Sequence, residues 1–134
     1  MTISQIILAS ASPRRRDLLS QLGLNFTVAG QDIDETQSPD EEPLDFVRRM
    51  ALRKAQAVKV EVPLKVSSLV IGSDTIVVCE GFVLGKPVNK KDGLRMLRLL
   101  SGKTHSVLTA VAIATLNREC VSVSENKVEF RHIT

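Results

Sequence analysis

The polarity pattern of the chain alternates between short apolar runs and longer stretches of helical period. Ile6-Ile-Leu-Ala9 is short and apolar throughout, which predicts a buried strand. Ser12-Pro13 then reads as a helix start, with Ser12 as N-cap and Pro13 at the first helical position. Leu18, Leu19 and Leu22 make one face of that helix, and Gly23 ends it. Phe26 and Val28 alternate with polar residues as a second strand. After an acidic loop, Pro43 opens a longer helix to about Val60, with Val47, Met50, Ala51 and Val58 on one face. Leu69-Val-Ile-Gly72 predicts another buried strand, which Ser73-Asp74-Thr75 interrupts and Ile76-Val-Val-Cys79 resumes. Glu80-Gly81 has the form of a two-residue turn, so Phe82-Val-Leu84 should pair back as a hairpin closed by Gly85-Lys86-Pro87. Asn89 can cap a helix carrying Leu94, Leu97 and Leu100 and ending at Ser101-Gly102. Ser106 to Leu116 is a long β-branched strand, turned by Asn117-Arg118-Glu119. Val121 and Val123 point one way and Val128 and Phe130 the other, which predicts a bulge or a twist near Glu125 to Lys127. Strands alternate with helices early and form hairpins late. The fold class is therefore α/β, a mixed, curved sheet flanked by helices.

The 134 residues make a single domain able to bury its own core. The net charge of +3 suits anionic ligands, but outside the first loop the basic residues are scattered, which falls short of a nucleic-acid footprint. Aromatics are 3%, all Phe, so a platform for stacking bases is not expected. Cys79 and Cys120 sit in apolar runs without metal-ligand spacing and read as buried free thiols of a reducing cytoplasm. The N-terminus lacks the features of a signal peptide. No apolar run approaches the ~18 residues of a membrane helix. A cytoplasmic protein without membrane contact is the expectation.

Candidate chemistry begins in the first loop. A helix N-terminus leaves backbone N–H groups unpaired and attracts phosphate. Ser10 and Ser12 add hydroxyls, and Arg14 and Arg15 add bidentate donors that match phosphate oxygens. Three arginines at a helix start oppose the helix dipole, which points to an anionic ligand. Asp74, a carboxylate within an apolar strand, is costly unless paired or coordinated, and could act as general base or metal ligand. Gly72 before it permits close approach of backbone or ligand. Lys54 falls on the apolar face of the long helix, an uncommon place for a lysine unless it snorkels to the edge. Lys86 stands between Gly85 and Pro87, and Glu35 is one of six acids between Gln31 and Glu42. Spacing alone singles out neither, and His105 and His132 have no assigned role. Together these residues offer cations for phosphates, acids for Mg²⁺ or Mn²⁺, and a carboxylate to activate water, the parts that phosphoryl-transfer chemistry needs.

The stretch Leu8-Ala-Ser-Ala-Ser-Pro-Arg-Arg-Arg-Asp-Leu-Leu19 resembles the opening motif of the Maf family of nucleotide pyrophosphatases. The Arg49-to-Lys54 segment, Ile71-Gly-Ser-Asp-Thr-Ile-Val77, Gly85-Lys-Pro87 and Leu100-Ser-Gly-Lys-Thr-His-Ser-Val-Leu-Thr-Ala-Val111 resemble its other blocks, in family order. The resemblance implies hydrolysis of a nucleoside triphosphate to the monophosphate and pyrophosphate with a divalent cation. It implies that Asp74 activates water and, with Glu35, holds the metal. Ser10, Arg14, Arg15, Lys54 and Lys86 match phosphate-binding positions. Arg14 and Thr75 match the branch acting on dTTP and UTP, where a 7-methyl-GTP branch has Trp and Gln; Gly85 departs from the acid frequent in the dTTP/UTP branch. The family domain continues past the last block present here, so the expectation is that its C-terminal part is absent and the second lobe incomplete. A non-catalytic nucleotide- or nucleic-acid-binding regulator of septum formation, or a 7-methyl-GTP pyrophosphatase, is the alternative, and a homodimer is left open.

Overall fold

The computed structural model describes residues 3, 5–10, 13–30, 33–84 and 89–129. Among these, strands β1 (Gln5–Ala9), β2 (Thr27–Val28), β3 (Ser68–Cys79), β4 (Phe82–Leu84), β5 (Thr104–Ala114) and β6 (Glu119–Glu129) form one sheet, with helices α1 (Pro13–Gln21), α2 (Pro43–Glu61) and α3 (Lys90–Leu100). The strand order is β2-β1-β3-β5-β6, with β4 paired to β3. β2, β1 and β3 are parallel; β3, β5 and β6 run antiparallel, as does the β3–β4 hairpin. The sheet is mixed, as the pattern predicts.

The core lies between α2 and one face of the sheet. Val47, Met50, Ala51, Ala55 and Val58 recur at helical spacing, are fully buried, and meet Ile7, Val70, Leu108, Ala110 and Ala112. Each large side chain buried there stabilises by about 2 kcal/mol. Pro43 at the start, Asp45 in the first turn and Lys59 in the last give α2 its termini. Gly72 sets how near α2 comes. A Cβ there would stand inside contact distance of the Ala51 carbonyl oxygen and 2.9 Å from the Ala55 nitrogen. The close approach anticipated at Gly72 is therefore that of the helix backbone.

The structure corrects three expectations about the strands. β3 is one unbroken strand of 12 residues; Ser73-Asp74-Thr75 does not interrupt it, because β5 pairs through it as Ser73↔Val111, Asp74↔Ala110 and Thr75↔Thr109. The interruption lies on the other edge of β3. There β1 ends opposite Gly72 and β4, running back, ends opposite Val77, so among the described residues no strand pairs with that edge from Ser73 to Ile76. Of the bulge or twist expected in β6, the bulge is absent, since its register with β5 runs without a slip from Glu119↔Ala114 to Glu129↔Thr104. Val121 and Val123 pack against the core, while Val128, opposite His105, lies on the other face. Cys120 is exposed on β6; only Cys79 is buried.

The turn chemistry follows the sequence closely. Glu80 and Gly81 both have positive φ, at 54° and 82°, as a type I′ hairpin turn requires. The Asn89 side chain accepts a hydrogen bond from the Asp92 N–H at 2.8 Å and caps α3. Gly23, at φ 74°, follows α1. The expected apolar faces of α1 and α3 are not core faces among the described residues. Leu18, Leu22, Leu94 and Leu97 are exposed, and only Leu100 of α3 is buried. Helical period marks an apolar stripe without saying what covers it. Ser12, Gly85, Lys86, Pro87, Phe130 and His132 lie outside the described residues, so the α1 N-cap and the lysine turn do too.

Candidate functional site

The edge of β3 that is unpaired among the described residues gathers most of the predicted residues. Alternate residues of a strand face opposite sides, so Asp74 and Thr75 project on the two faces of β3 beside this opening. Asp74 shares the α2 face with Gly72. The Lys54 Nζ lies 2.9 Å from Asp74 Oδ1 and 3.4 Å from Glu35 Oε1. Lys54 and Asp74 are largely covered, with side-chain exposures of 20% and 14%, while Glu35 is 63% exposed. The lysine on the core face therefore does not snorkel to the rim. It answers the carboxylate that the apolar strand could not otherwise hold. Because Gly72 and Asp74 are two residues apart on one strand, the close contact of α2 at Gly72 also brings Lys54 within reach of Asp74.

On the other face, α1 supplies the cations. The Arg15 Nη2 donates to Thr75 Oγ1 at 3.2 Å and Nη1 to Ser10 Oγ at 3.4 Å. Ser10, 7% exposed, follows directly on β1, where the chain leaves the sheet. The Thr75 hydroxyl also meets Thr109 Oγ1 of β5 at 3.1 Å. Arg14 and Arg16 on α1 are exposed. Two groups thus flank one strand edge: Asp74, Lys54 and Glu35 on one side, Ser10, Arg15 and Thr75 on the other. Asp74 lies on the face of β3 away from Thr75 and its Arg15 contact. A groove along α3, lined by Leu94, Arg95 and Leu99 among others, contains none of these residues.

Two carboxylates directed at one ammonium form a place already suited to positive charge. Asp74 and Glu35 offer oxygen donors, the kind hard cations take. Among the described residues no three His, Cys, Asp or Glu side chains come together as a metal site. A Mg²⁺-like ion would fit here only in the manner of phosphate-bridging ions, on one or two carboxylates with ligand oxygens and water completing its shell.

Arg49 is a residue that the sequence did not single out for a role. Its Nε and Nη2 donate to the Glu41 carboxylate, both at 2.7 Å, and Nη2 donates to the Thr36 carbonyl at 2.8 Å. The guanidinium also lies 5.7 Å from the Phe46 ring centre. This clamp fastens the loop that carries Glu35 to α2. Glu41 stands outside the helix, so no helical spacing reveals the pair. In the same loop the Thr36 side chain and then its backbone N–H, at 2.9 Å, hydrogen-bond to Asp34 and lower its pKa.

The Arg49 hydrogen bonds hold Glu41 down from 4.5 to about 2. A depressed carboxylate contributes stability that is complete above its unfolded value and is lost as pH falls toward the folded one. Comparing wild type with Glu41→Gln by thermal melting should therefore show a constant gap above about pH 4.5 that closes on the way to about pH 2. A gap independent of pH across that interval would show that the clamp does not depend on the charge of Glu41.

The Maf-like protein family profile matches residues 5–134. The dTTP/UTP pyrophosphatase of Symbiobacterium thermophilum is 46% identical over 128 residues, which cover 96% of this chain and 64% of that protein. The Moorella thermoacetica protein of the same name is 47% identical over 134 residues, covering 98% of this chain and 68% of its own. The chain thus spans about two thirds of the length of these curated relatives. Among solved structures, the Staphylococcus aureus Ham1 protein superposes with a TM-score of 0.65 at 15% identity, covering 94% of this chain and 71% of that one. A Vibrio cholerae protein superposes with a TM-score of 0.53 at 11% identity, over 96% of this chain and 65% of that one. At such identities the two structures speak for the fold, and the sequence matches for the lineage: the chain belongs to the Maf-like protein family.

Proposed function

We propose that this chain forms the phosphate-binding and water-activating part of a nucleoside triphosphate pyrophosphatase acting on dTTP and UTP. The observation that carries the reading is the pairing of Asp74 with Lys54 at the open edge of β3, with Arg15 and Ser10 on the same edge. The relatives named dTTP/UTP pyrophosphatase support it, as does the resemblance of the motifs carrying Arg14 and Thr75 to the dTTP/UTP branch.

In this reading Arg14, Arg15, Ser10, Lys54 and Lys86 bind the triphosphate oxygens and offset their charge. The Asp74 carboxylate accepts a proton from a water molecule. The water oxygen bonds to the α-phosphorus, the bond from that phosphorus to the α–β bridging oxygen breaks, and pyrophosphate leaves with the electron pair. Lys54 aims Asp74 by donating a hydrogen bond to one of its oxygens. A divalent cation, held by Asp74 and Glu35, supplies charge neutralisation at the phosphates when bound.

The test is pyrophosphate release from a panel of dTTP, UTP, 7-methyl-GTP and the standard purine triphosphates, with Mg²⁺ or Mn²⁺. The expected result is turnover of dTTP and UTP well above the others. Preference for 7-methyl-GTP would assign the chain to the other branch, and release from none of them would overturn the hydrolytic reading.

A further inference from the structure

We propose that Thr109 is a positioning residue for the site, holding the Arg15 guanidinium in place through the Thr75 hydroxyl. The proposal rests on the pyrophosphatase reading above, in which Arg15 binds phosphate.

A threonine hydroxyl has one proton to donate and two lone pairs. A guanidinium only donates, so the contact with Arg15 Nη2 uses one lone pair of Thr75 Oγ1. The Thr109 contact at 3.1 Å takes a second position, whichever oxygen is the donor. With two of its three positions used, the hydroxyl can no longer turn freely toward solvent. Its third position is left for a ligand on a residue that is itself exposed. Of the two side-chain bonds of Arg15 among the described residues, the one to Thr75 is the shorter, 3.2 Å against 3.4 Å to Ser10. The seat of the guanidinium therefore depends on where the Thr75 hydroxyl points.

Thr109 is well placed to set that direction. It lies directly across from Thr75 in the β3–β5 ladder, on a strand paired along both edges. Its branched side chain is stiff at χ1. Nothing about the strand itself asks for a hydroxyl there. The residues flanking Thr109 on the same face, Val107 and Val111, are valines, and a valine at 109 would serve the strand as well. The oxygen is explained by its contact with Thr75, and Thr75 by its contact with Arg15. A chain of three side chains from three elements thus runs from the middle of the sheet to α1. Thr109 touches no phosphate in this scheme; it acts only through Thr75.

The experiment measures kcat and KM for dTTP in wild type, Thr109→Val, Thr109→Ser, Thr75→Val and the double variant Thr75→Val/Thr109→Val. Because phosphate is held before and during the reaction, the loss should fall mainly on KM. Thr109→Val should raise KM about fivefold, the factor of one ordinary hydrogen bond, with kcat within twofold of wild type. Thr109→Ser, which restores the oxygen, should return KM to within twofold. The double variant should be no worse than Thr75→Val alone, a result that a merely structural role would not produce. Unchanged KM in Thr109→Val overturns the proposal, and so does a double variant whose loss is the product of the two single losses. If wild type turns over no triphosphate, the pyrophosphatase reading fails by itself. The same pattern is then sought in the Kd for dTTP, where its presence upholds the role of Thr109. Absence of the pattern, or of any dTTP binding, overturns it.

Discussion

Replacing Asp74 by Asn should lower kcat/KM for dTTP by about a thousandfold, the middle of the range for removing a general base. The substitution keeps size and keeps an oxygen that can accept from Lys54, so the ion pair at 2.9 Å becomes a hydrogen bond of the same shape. The fold should persist, with a melting temperature close to that of wild type. Dissociation constants should move far less than turnover, because phosphate contacts come from Ser10 and the cationic side chains. An Asp74→Asn enzyme as active as wild type would remove this carboxylate from the reaction, and another base would have to be found. A variant that loses binding and turnover together would show Asp74 acting through its hold on the metal rather than as the base.

Gly72→Ala should have the largest effect on stability, about 3 kcal/mol. The new methyl group would meet the backbone of α2 at Ala51 and Ala55, not the flexible end of a side chain. Relief needs the whole helix to move away from β3, which loosens the packing of Val47, Met50 and Val58 as well. Thermal melting should report a fall of roughly 10 °C. The same displacement draws Lys54 from Asp74, so turnover in the folded fraction should fall too. A Gly72→Ala protein as stable as wild type would show that α2 yields easily at this contact.

The fold was legible where local chemistry decides it. Pro43, Asn89 and the Glu80-Gly81 turn carry their own geometry, and the structure repeats it. The continuous path of β3 was not legible, because Ser73-Asp74-Thr75 breaks the apolar run while pairing with β5 carries the strand on. Nor was the exposure of Leu18 and Leu94, since period marks a stripe and not its cover. In the site, the position of Lys54 on the core face was visible from spacing, but its role came from resemblance, and the Asp74 contact supplies a physical reason. Glu35 could not be told from its acidic neighbours. Only the Arg49 clamp and the fold of its loop bring that one carboxylate to Lys54. Thr109 needed the β3–β5 register, which no local signal sets.

The mixed pairing of the sheet also orders its assembly. The β5–β6 hairpin closes over a short turn at Thr115 to Arg118, and the β3–β4 hairpin over two residues, so both can form from local contacts. β1 joins β3 across more than sixty positions, the most costly loop closure among the strand pairs. The hydrogen bond from Arg15 to Thr75 spans 60 positions, nearly the same separation. A chain in which the hairpins have formed and β1 has not yet docked has much of its sheet but lacks the Arg15–Thr75 contact. A bound triphosphate therefore favours the docked form selectively, and nucleotide should slow the release of β1 more than it slows the opening of β6.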